Sequence, residues 1–466
     1  MAVDVITAFL AVGGIIAVGF LASIIFERTR IPDIMILILL GVILGPVAAS
    51  FGIVLVPAFA LAVATPFLTA IALMFILFDG GLNLQLARVV KNLPIIVFHT
   101  VSTFLMTVLG VALIAIAILG YPPLVGVLLG AILGGTSSAV VIGIVRTLRI
   151  SDETKTVLTL EAVVTDVLCV VTALAIIALL RGGPDAPAWM LASSFGLVFL
   201  VSLFLGGAVG IGWLVLLRRP EGKPVSYMLT VGVLFALYAA AEIAGGSGAM
   251  AAFVFGLVLG NRTAIEARLK SLARKRRGGT LLLDDRIKKF QAELSFAVRT
   301  FFFVFLGLVF TVSGSGPLFV STRIPYLDAL NNTLALFLAG ILLMFLTILA
   351  IRVLTARIVA YTRGKPPSDR RVMWVMMGRG LAAAALASLP FTISAFTAPA
   401  TPGDLYYHDL LAPLKAQFLD IAFFIILLTV GVTTIGVAWS ERALTRADPS
   451  ARTRKGDRTR VWPGPP

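Results

Sequence analysis

The 466-residue sequence predicts an all-α polytopic membrane protein with about 13 transmembrane helices. Three observations carry that expectation: 59% of residues are hydrophobic with a mean hydropathy of +1.04, only 13% are charged, and the apolar residues fall in long runs. A soluble domain of this length needs polar cover over its surface, and this composition does not supply it. A spanning helix takes roughly 20 apolar residues, so the chain has room for on the order of a dozen spans and little else.

The runs lie at approximately 4–26, 34–50, 60–80, 94–118, 122–146, 155–180, 188–217, 225–243, 248–260, 294–312, 331–356, 371–396 and 417–439. The first has no basic n-region and reads as a spanning helix with its N-terminus outside, not as a cleaved leader. The ninth is short, and either a re-entrant segment or a continuation past Asn261 fits it.

Lysine and arginine test this arrangement. With the N-terminus outside, 32 of the 38 fall in inner loops, while only Arg181, Arg323 and Lys415 fall in outer ones, and Arg299, Arg352 and Arg379 lie within spans. That is the positive-inside pattern, which puts the C-terminus in the cytoplasm of a cell whose inner or plasma membrane holds the chain. It absorbs nearly all of the net charge of +15, leaving no need for a nucleic-acid partner. Segment 261–293 is the one long cytoplasmic connector, with an expected amphipathic helix on the membrane surface. Segment 441–466 reads as a basic disordered tail at the inner leaflet, and no nucleotide-binding or regulatory domain is expected after the last helix. Cys169, the single cysteine, lies in an apolar run and reads as a small buried residue.

Ionisable groups inside spans cost several kcal/mol and are functional candidates by default. Here they are Asp79, His99, Glu161, Asp166, Glu242, Arg299, Arg352 and Arg379. Glu242 and Arg299 are near helix ends, and His99, on an apolar face, reads as a satisfied structural histidine. Asp166, in TLEAVVTDVLCVV, is more than ten residues from either end of span six, beyond the reach of snorkelling. Glu161 precedes it by five residues, about 140° round the helix, so the two carboxylates face different surroundings. Thr165 and Asp166 together offer hard oxygen ligands at one depth. A carboxylate desolvated there lets a proton and a metal ion compete for it, which is the core of an antiport mechanism.

Span five contains GAILGGTSSAVVIG, in which Gly134, Gly135, Thr136, Ser137 and Ser138 make a poor helix interior. Irregular backbone at membrane depth survives where it lines a cavity, although Gly126, Gly130 and Gly134 also fit small-residue helix packing. Span twelve repeats the theme with Met377, Gly378, Arg379 and Gly380. Two glycine-interrupted spans, one in each half, point to a midplane site between two inverted-topology repeats, with span seven linking them.

These residues resemble the monovalent cation:proton antiporters, specifically the prokaryotic sodium/proton exchanger group. The likeness rests on FDGGLNL (78–84), GGTSSAVV (134–141), LEAVVTD (160–166), AEIAGGSGAMAAFVFGLVLGN (241–261) and GRG (378–380). It implies an exchanger domain over 1–440, with one repeat at about 1–180, a linker helix at 188–217 and a second repeat at about 225–440. It implies Asp166 as the ion- and proton-binding residue, with Thr165, Thr136 and Ser137 beside it. It also implies a structural ion pair between Glu161 and Arg352, Gly378, Arg379 and Gly380 in the second crossing helix, and Asp79 at the inner access funnel. A homodimer is implied, with Na⁺ or K⁺ and H⁺ as the transported ions and no cofactor.

The departures from that pattern bear on selectivity. The chain has Thr165 before Asp166 where relatives carry Asn or Asp, Ala162 where many have serine, and Ser137 where many have aspartate. One free carboxylate favours one-for-one, electroneutral exchange. The alternative is a potassium efflux transporter or channel-like protein gated by a separate soluble subunit, toward which the glycine-serine form of span five leans. An enzyme is not expected: no H-E-x-x-H or G-x-S-x-G element is present, and there are only two histidines.

Overall fold

The computed structural model describes residues 13–22, 24–25, 33–52, 58–84, 93–148, 150–182, 188–216, 225–262, 265, 285–309, 333–362, 364 and 366–447. Most of the connector 261–293, most of the tail 441–466 and Arg323 lie outside them. Among the described residues the secondary structure is entirely helical. In chain order the helices are α1 (Gly13–Ala22), α2 (Asp33–Val42), α3 (Ala58–Asn83), α4 (Leu93–Ala117), α5 (Pro123–Leu133), α6 (Ser138–Thr147), α7 (Asp152–Arg181) and α8 (Ala188–Leu216). They continue with α9 (Val225–Ile243), α10 (Gly248–Gly260), α11 (Asp285–Val309), α12 (Thr333–Thr362), α13 (Pro367–Val375), α14 (Leu381–Ser388), α15 (Pro402–Leu411) and α16 (Lys415–Ala447). Short helical turns follow α2, where a π-turn at Ile43–Val47 accommodates Pro46, and also follow α14 and α15.

Eight helical stretches among the described residues are long and apolar enough to cross a membrane, and four shorter apolar helices accompany them. The chain is a multi-pass membrane protein. Large apolar side chains such as Phe67, Phe98, Leu113, Phe204, Met228 and Ile435 point outward, which only lipid makes favourable.

Without a hydrophobic drive between helices in lipid, close backbone packing holds them together. On α3 and α10 the glycines interlock: a Cβ on Gly81 would stand 2.7 Å from the Leu257 nitrogen, and one on Gly256 would run into the Phe78 carbonyl. The pair α2 and α11 does the same, with a Cβ on Gly41 or on Gly307 falling 2.7 Å from the other's Cα.

α7 runs through the centre of this assembly, and both ends are held. Ser151 caps its N-terminus, accepting from the Thr154 N–H, and Asp152 and Glu153 in the first turn complement the helix dipole. The buried Asp369, in α13, accepts from the Thr154 hydroxyl at 2.8 Å, the Ser151 hydroxyl and the Ser151 N–H at 3.3 Å. At the other end Arg181 Nε donates to Asp404 in α15 at 3.1 Å. The helix between these anchors is about 45 Å long, enough to cross a bilayer with Asp166 near its middle.

Candidate functional site

The two glycine-rich spans are both interrupted. One breaks between α5 and α6, at residues 134–137, and the other between α13 and α14, at residues 376–380. Breaking a helix frees backbone donors and acceptors that the bilayer interior cannot satisfy, so each must find a partner in the protein. They find them largely in one another and in α7 and α16.

Three successive freed N–H groups of the first break have three different acceptors. Thr136 N–H donates to Thr165 Oγ1 at 3.1 Å, Ser137 N–H to the Gly378 carbonyl at 2.8 Å, and Ser138 N–H to Asp166 Oδ2 at 3.2 Å. Thr165 completes its bonding by donating to the Ala162 carbonyl at 3.1 Å within its own helix. In the second break Met377 N–H donates to Thr433 Oγ1 at 3.3 Å and Arg379 N–H to Thr429 Oγ1 at 3.0 Å, both on α16. Arg379 supplies the missing donors: its Nε reaches the Leu133 carbonyl at 3.0 Å and its Nη1 the Met377 carbonyl at 2.7 Å. The cation thus lies at the C-terminal ends of α5 and α13, where helix dipoles leave partial negative charge. Asp166 lies at the N-terminal end of α6, where they leave partial positive charge.

The breaks pack too tightly for larger residues. A Cβ on Gly380 would run into the Ser137 side chain, and one on Gly135 would stand 2.7 Å from Cys169 Sγ. Cys169 is buried, unpaired with any other cysteine, and fills space beside the break.

Glu161 and Asp166 share α7 but not surroundings. Both are buried. Glu161 Oε1 pairs with Arg352 Nη1 on α12, and Arg352 Nε donates to the Met373 carbonyl of α13 at 2.8 Å, so the pair ties α7, α12 and α13 together. Glu161 Oε2 faces His99 Nε2 of α4 at 3.8 Å. Asp166 has no ion pair among the described residues; the contacts it makes are with Ser138.

The expected site residues therefore divide. Thr136, Thr165 and Asp166 come together at the first break, as do Glu161 and Arg352 a turn and a half away, while Gly378, Arg379 and Gly380 form the second break. Ser137 does not reach Asp166; its hydroxyl lies against Gly380, and Ser138 takes the place beside the carboxylate. Asp79, on α3, accepts from the Asn83 side chain at 3.1 Å and is close enough for its charge to act on Asp166. Glu242 accepts from the Gly248 N–H at 2.8 Å and caps the turn into α10. Arg299 pairs with Asp33 at 2.8 Å. His99 lies beside the Glu161 pair without a hydrogen bond to it, and its buried Nε2 has no hydrogen-bond partner among the described residues, where the sequence predicts a satisfied histidine. Thr429 and Thr433 carry no charge and sit in an apolar run, and only the crossing geometry brings out their part.

Fold and site together define a multi-pass membrane protein, helical throughout its described residues, with a buried carboxylate that has no ion pair among those residues where two interrupted helices cross. Residues 15–440 match the transmembrane sodium/hydrogen exchanger family, and the chain belongs to it. The Na⁺/H⁺ antiporter 1 of Methanocaldococcus jannaschii is 27% identical over 313 residues, covering 64% of this chain and 67% of that protein. The K⁺/H⁺ antiporter NhaP2 of Shewanella sp. (strain MR-4) is 30% identical over 276 residues, 56% of this chain and 45% of that protein, so the match spans less than half of the latter. The structure of the sodium proton antiporter MjNhaP1 from M. jannaschii superposes with a TM-score of 0.66 over 94% of this chain and 97% of that one, at 23% identity, a likeness of fold.

Proposed function

We propose that this protein exchanges a monovalent cation, Na⁺ or K⁺, for protons across the inner or plasma membrane by alternating access, with Asp166 binding each in turn. One observation supports it above the rest: Asp166 is a buried carboxylate at the helix crossing with no ion pair among the described residues, whereas its neighbour Glu161 is neutralised by Arg352. A charge left uncompensated at that depth takes either a proton or a cation. Family membership and the antiporters among its relatives point the same way.

The chemistry needs no covalent step. The protonated carboxyl releases H⁺ as the cation arrives, and the site is neutral in both states. With Thr165 in place of a second acid, one positive charge moves in each direction and exchange is electroneutral. The Ser138 hydroxyl, hydrogen-bonded to Asp166, and the Thr136 and Thr165 hydroxyls, 3.4 Å from each other at the same break, are the oxygens we assign to the ion. Glu161 with Arg352, and Arg379 at the helix ends, hold the crossing in shape. The charge distribution of the loops supports an N-terminus outside and a C-terminus inside.

Exchange measured by fluorescence dequenching in everted vesicles tests the reading. Asp166→Asn abolishes it while the protein stays folded and membrane-inserted; exchange at the wild-type rate in that variant overturns the mechanism. Running the assay with Na⁺, K⁺ and Li⁺, with and without an imposed voltage, assigns the ion and the stoichiometry.

A further inference from the structure

A second buried carboxylate lies away from the crossing. Asp420 is five residues into α16, about 7–8 Å along the helix from Lys415, and is only 5% exposed. Thr429, which contacts the crossing, is nine residues further on, about 13 Å deeper. Asp420 is therefore on the Arg181–Asp404 side of the molecule, too far from Asp166 to share its ion. Its side chain makes no hydrogen bond or ion pair among the described residues. The titratable group that senses its charge is the Tyr121 phenol, in the turn between α4 and α5. Tyr121 stacks on Phe418 with ring centroids 5.9 Å apart and donates to Gln417 Oε1 at 2.7 Å. Lys415, on the same helix, lies over the Phe396 ring instead, 5.9 Å from its centroid.

Buried carboxylates in folded proteins are paired, hydrogen-bonded or occupied, and an exception calls for a reason. No cation lies beside Asp420 among the described residues; the Tyr121 phenol is near enough to feel its charge, and Gln417, to which that phenol donates, stands about one turn earlier on the same helix. We propose that Asp420 is a second cation site, on the outer half of the molecule, that takes up a small monovalent cation from solution and releases a proton to it. The carboxyl O–H bond breaks, the proton goes to the outer solvent, and the cation takes its place on the carboxylate with Tyr121 and Gln417 oxygens beside it. The choice of a monovalent cation rests on the exchange reading; the existence of the site does not.

The test is thermal denaturation of the purified full-length protein in NaCl, KCl or choline chloride at equal ionic strength and mildly alkaline pH, because a ligand that binds the folded state raises Tm. Wild type, Asp166→Asn, Asp420→Asn and the double variant are compared. The Asp166→Asn protein should keep a Na⁺- or K⁺-dependent rise in Tm over choline, and the double variant should lose it. Loss of the whole rise in Asp166→Asn alone, or its survival in the double variant, overturns the proposal. Tyr121→Phe keeps the ring and removes the oxygen, so in the Asp166→Asn background it should raise the cation concentration for half-maximal stabilisation several-fold; no change there also counts against the site. Exchange at wild-type rate in Asp166→Asn would instead remove the proposed mechanism while leaving this shift intact, so the two failures are distinguishable.

Discussion

Arg379 Nε donates to the Leu133 carbonyl at 3.0 Å, so the guanidinium of one interrupted helix closes the broken end of the other. The same side chain serves the Met377 carbonyl at 2.7 Å. Arg379→Ala leaves both acceptors orphaned and buried, at about 1–3 kcal/mol each. A fall in Tm by fluorimetry in detergent is the expected result, with Arg379→Lys recovering part of it because a point charge cannot span both carbonyls as a planar fork does. An unchanged Tm in the alanine variant would show that the crossing does not depend on this residue.

Close approach of the two breaks makes a second prediction. Gly380→Ala forces its Cβ into Ser137 and separates the chains that meet at the Ser137–Gly378 hydrogen bond, so exchange should fall by orders of magnitude. Gly207→Ala is the control. It sits on α8 with open space around it and should be neutral, or stabilising by up to about 1 kcal/mol through helix propensity. Equal exchange rates in the two variants would remove the steric explanation.

Glu161 and Arg352 invite a double-mutant cycle. Glu161→Gln or Arg352→Gln alone strands a buried charge and should cost about 3–5 kcal/mol. The double variant restores neutrality and should be more stable than the sum of the two singles implies. His99, 3.8 Å from the carboxylate, gives the stranded Glu161 of Arg352→Gln a second cation at acid pH, so that single should lose less stability there. Additive losses at all pH values would mean that the pair is not coupled.

Much of this was legible in the letters. Gly-Gly-Thr-Ser-Ser and Met-Gly-Arg-Gly are poor helix formers in otherwise apolar runs, so both breaks could be read directly. Asp166 stood out because its depth leaves no route to water. The partners of the freed backbone groups were not legible, since they depend on how two chains cross in space. Ser138 reaches Asp166 and Ser137 does not because the residue after the break starts α6 with its N–H exposed, a matter of one peptide's orientation. Thr429 and Thr433 look like ordinary threonines bonding back within a helix until their second lone pairs are seen to accept from the crossing. Asp420 lies three residues inside the expected start of span thirteen, where an acid reads as interfacial, and only its burial marks it.

Asp404 carries a pH prediction at the clamp on the C-terminal end of α7. Burial opposes its ionisation, but hydrogen bonds from Thr401 and Arg181, together with the Arg181 charge, outweigh that and hold the carboxyl below the usual carboxylate range. A carboxyl depressed in the folded state contributes stability above its unfolded value, roughly pH 4, and loses it as pH falls through the folded value. The clamp is therefore complete at neutral pH and weakens only in acid. Arg181 is about half exposed, so solvent screening keeps the pair within the range of surface ion pairs, about 0–1 kcal/mol. Asp404→Asn should lower Tm slightly at neutral pH and converge with wild type as the pH drops below about 4. A gap that stays constant through the acid range would assign the clamp to packing rather than to the carboxylate's charge.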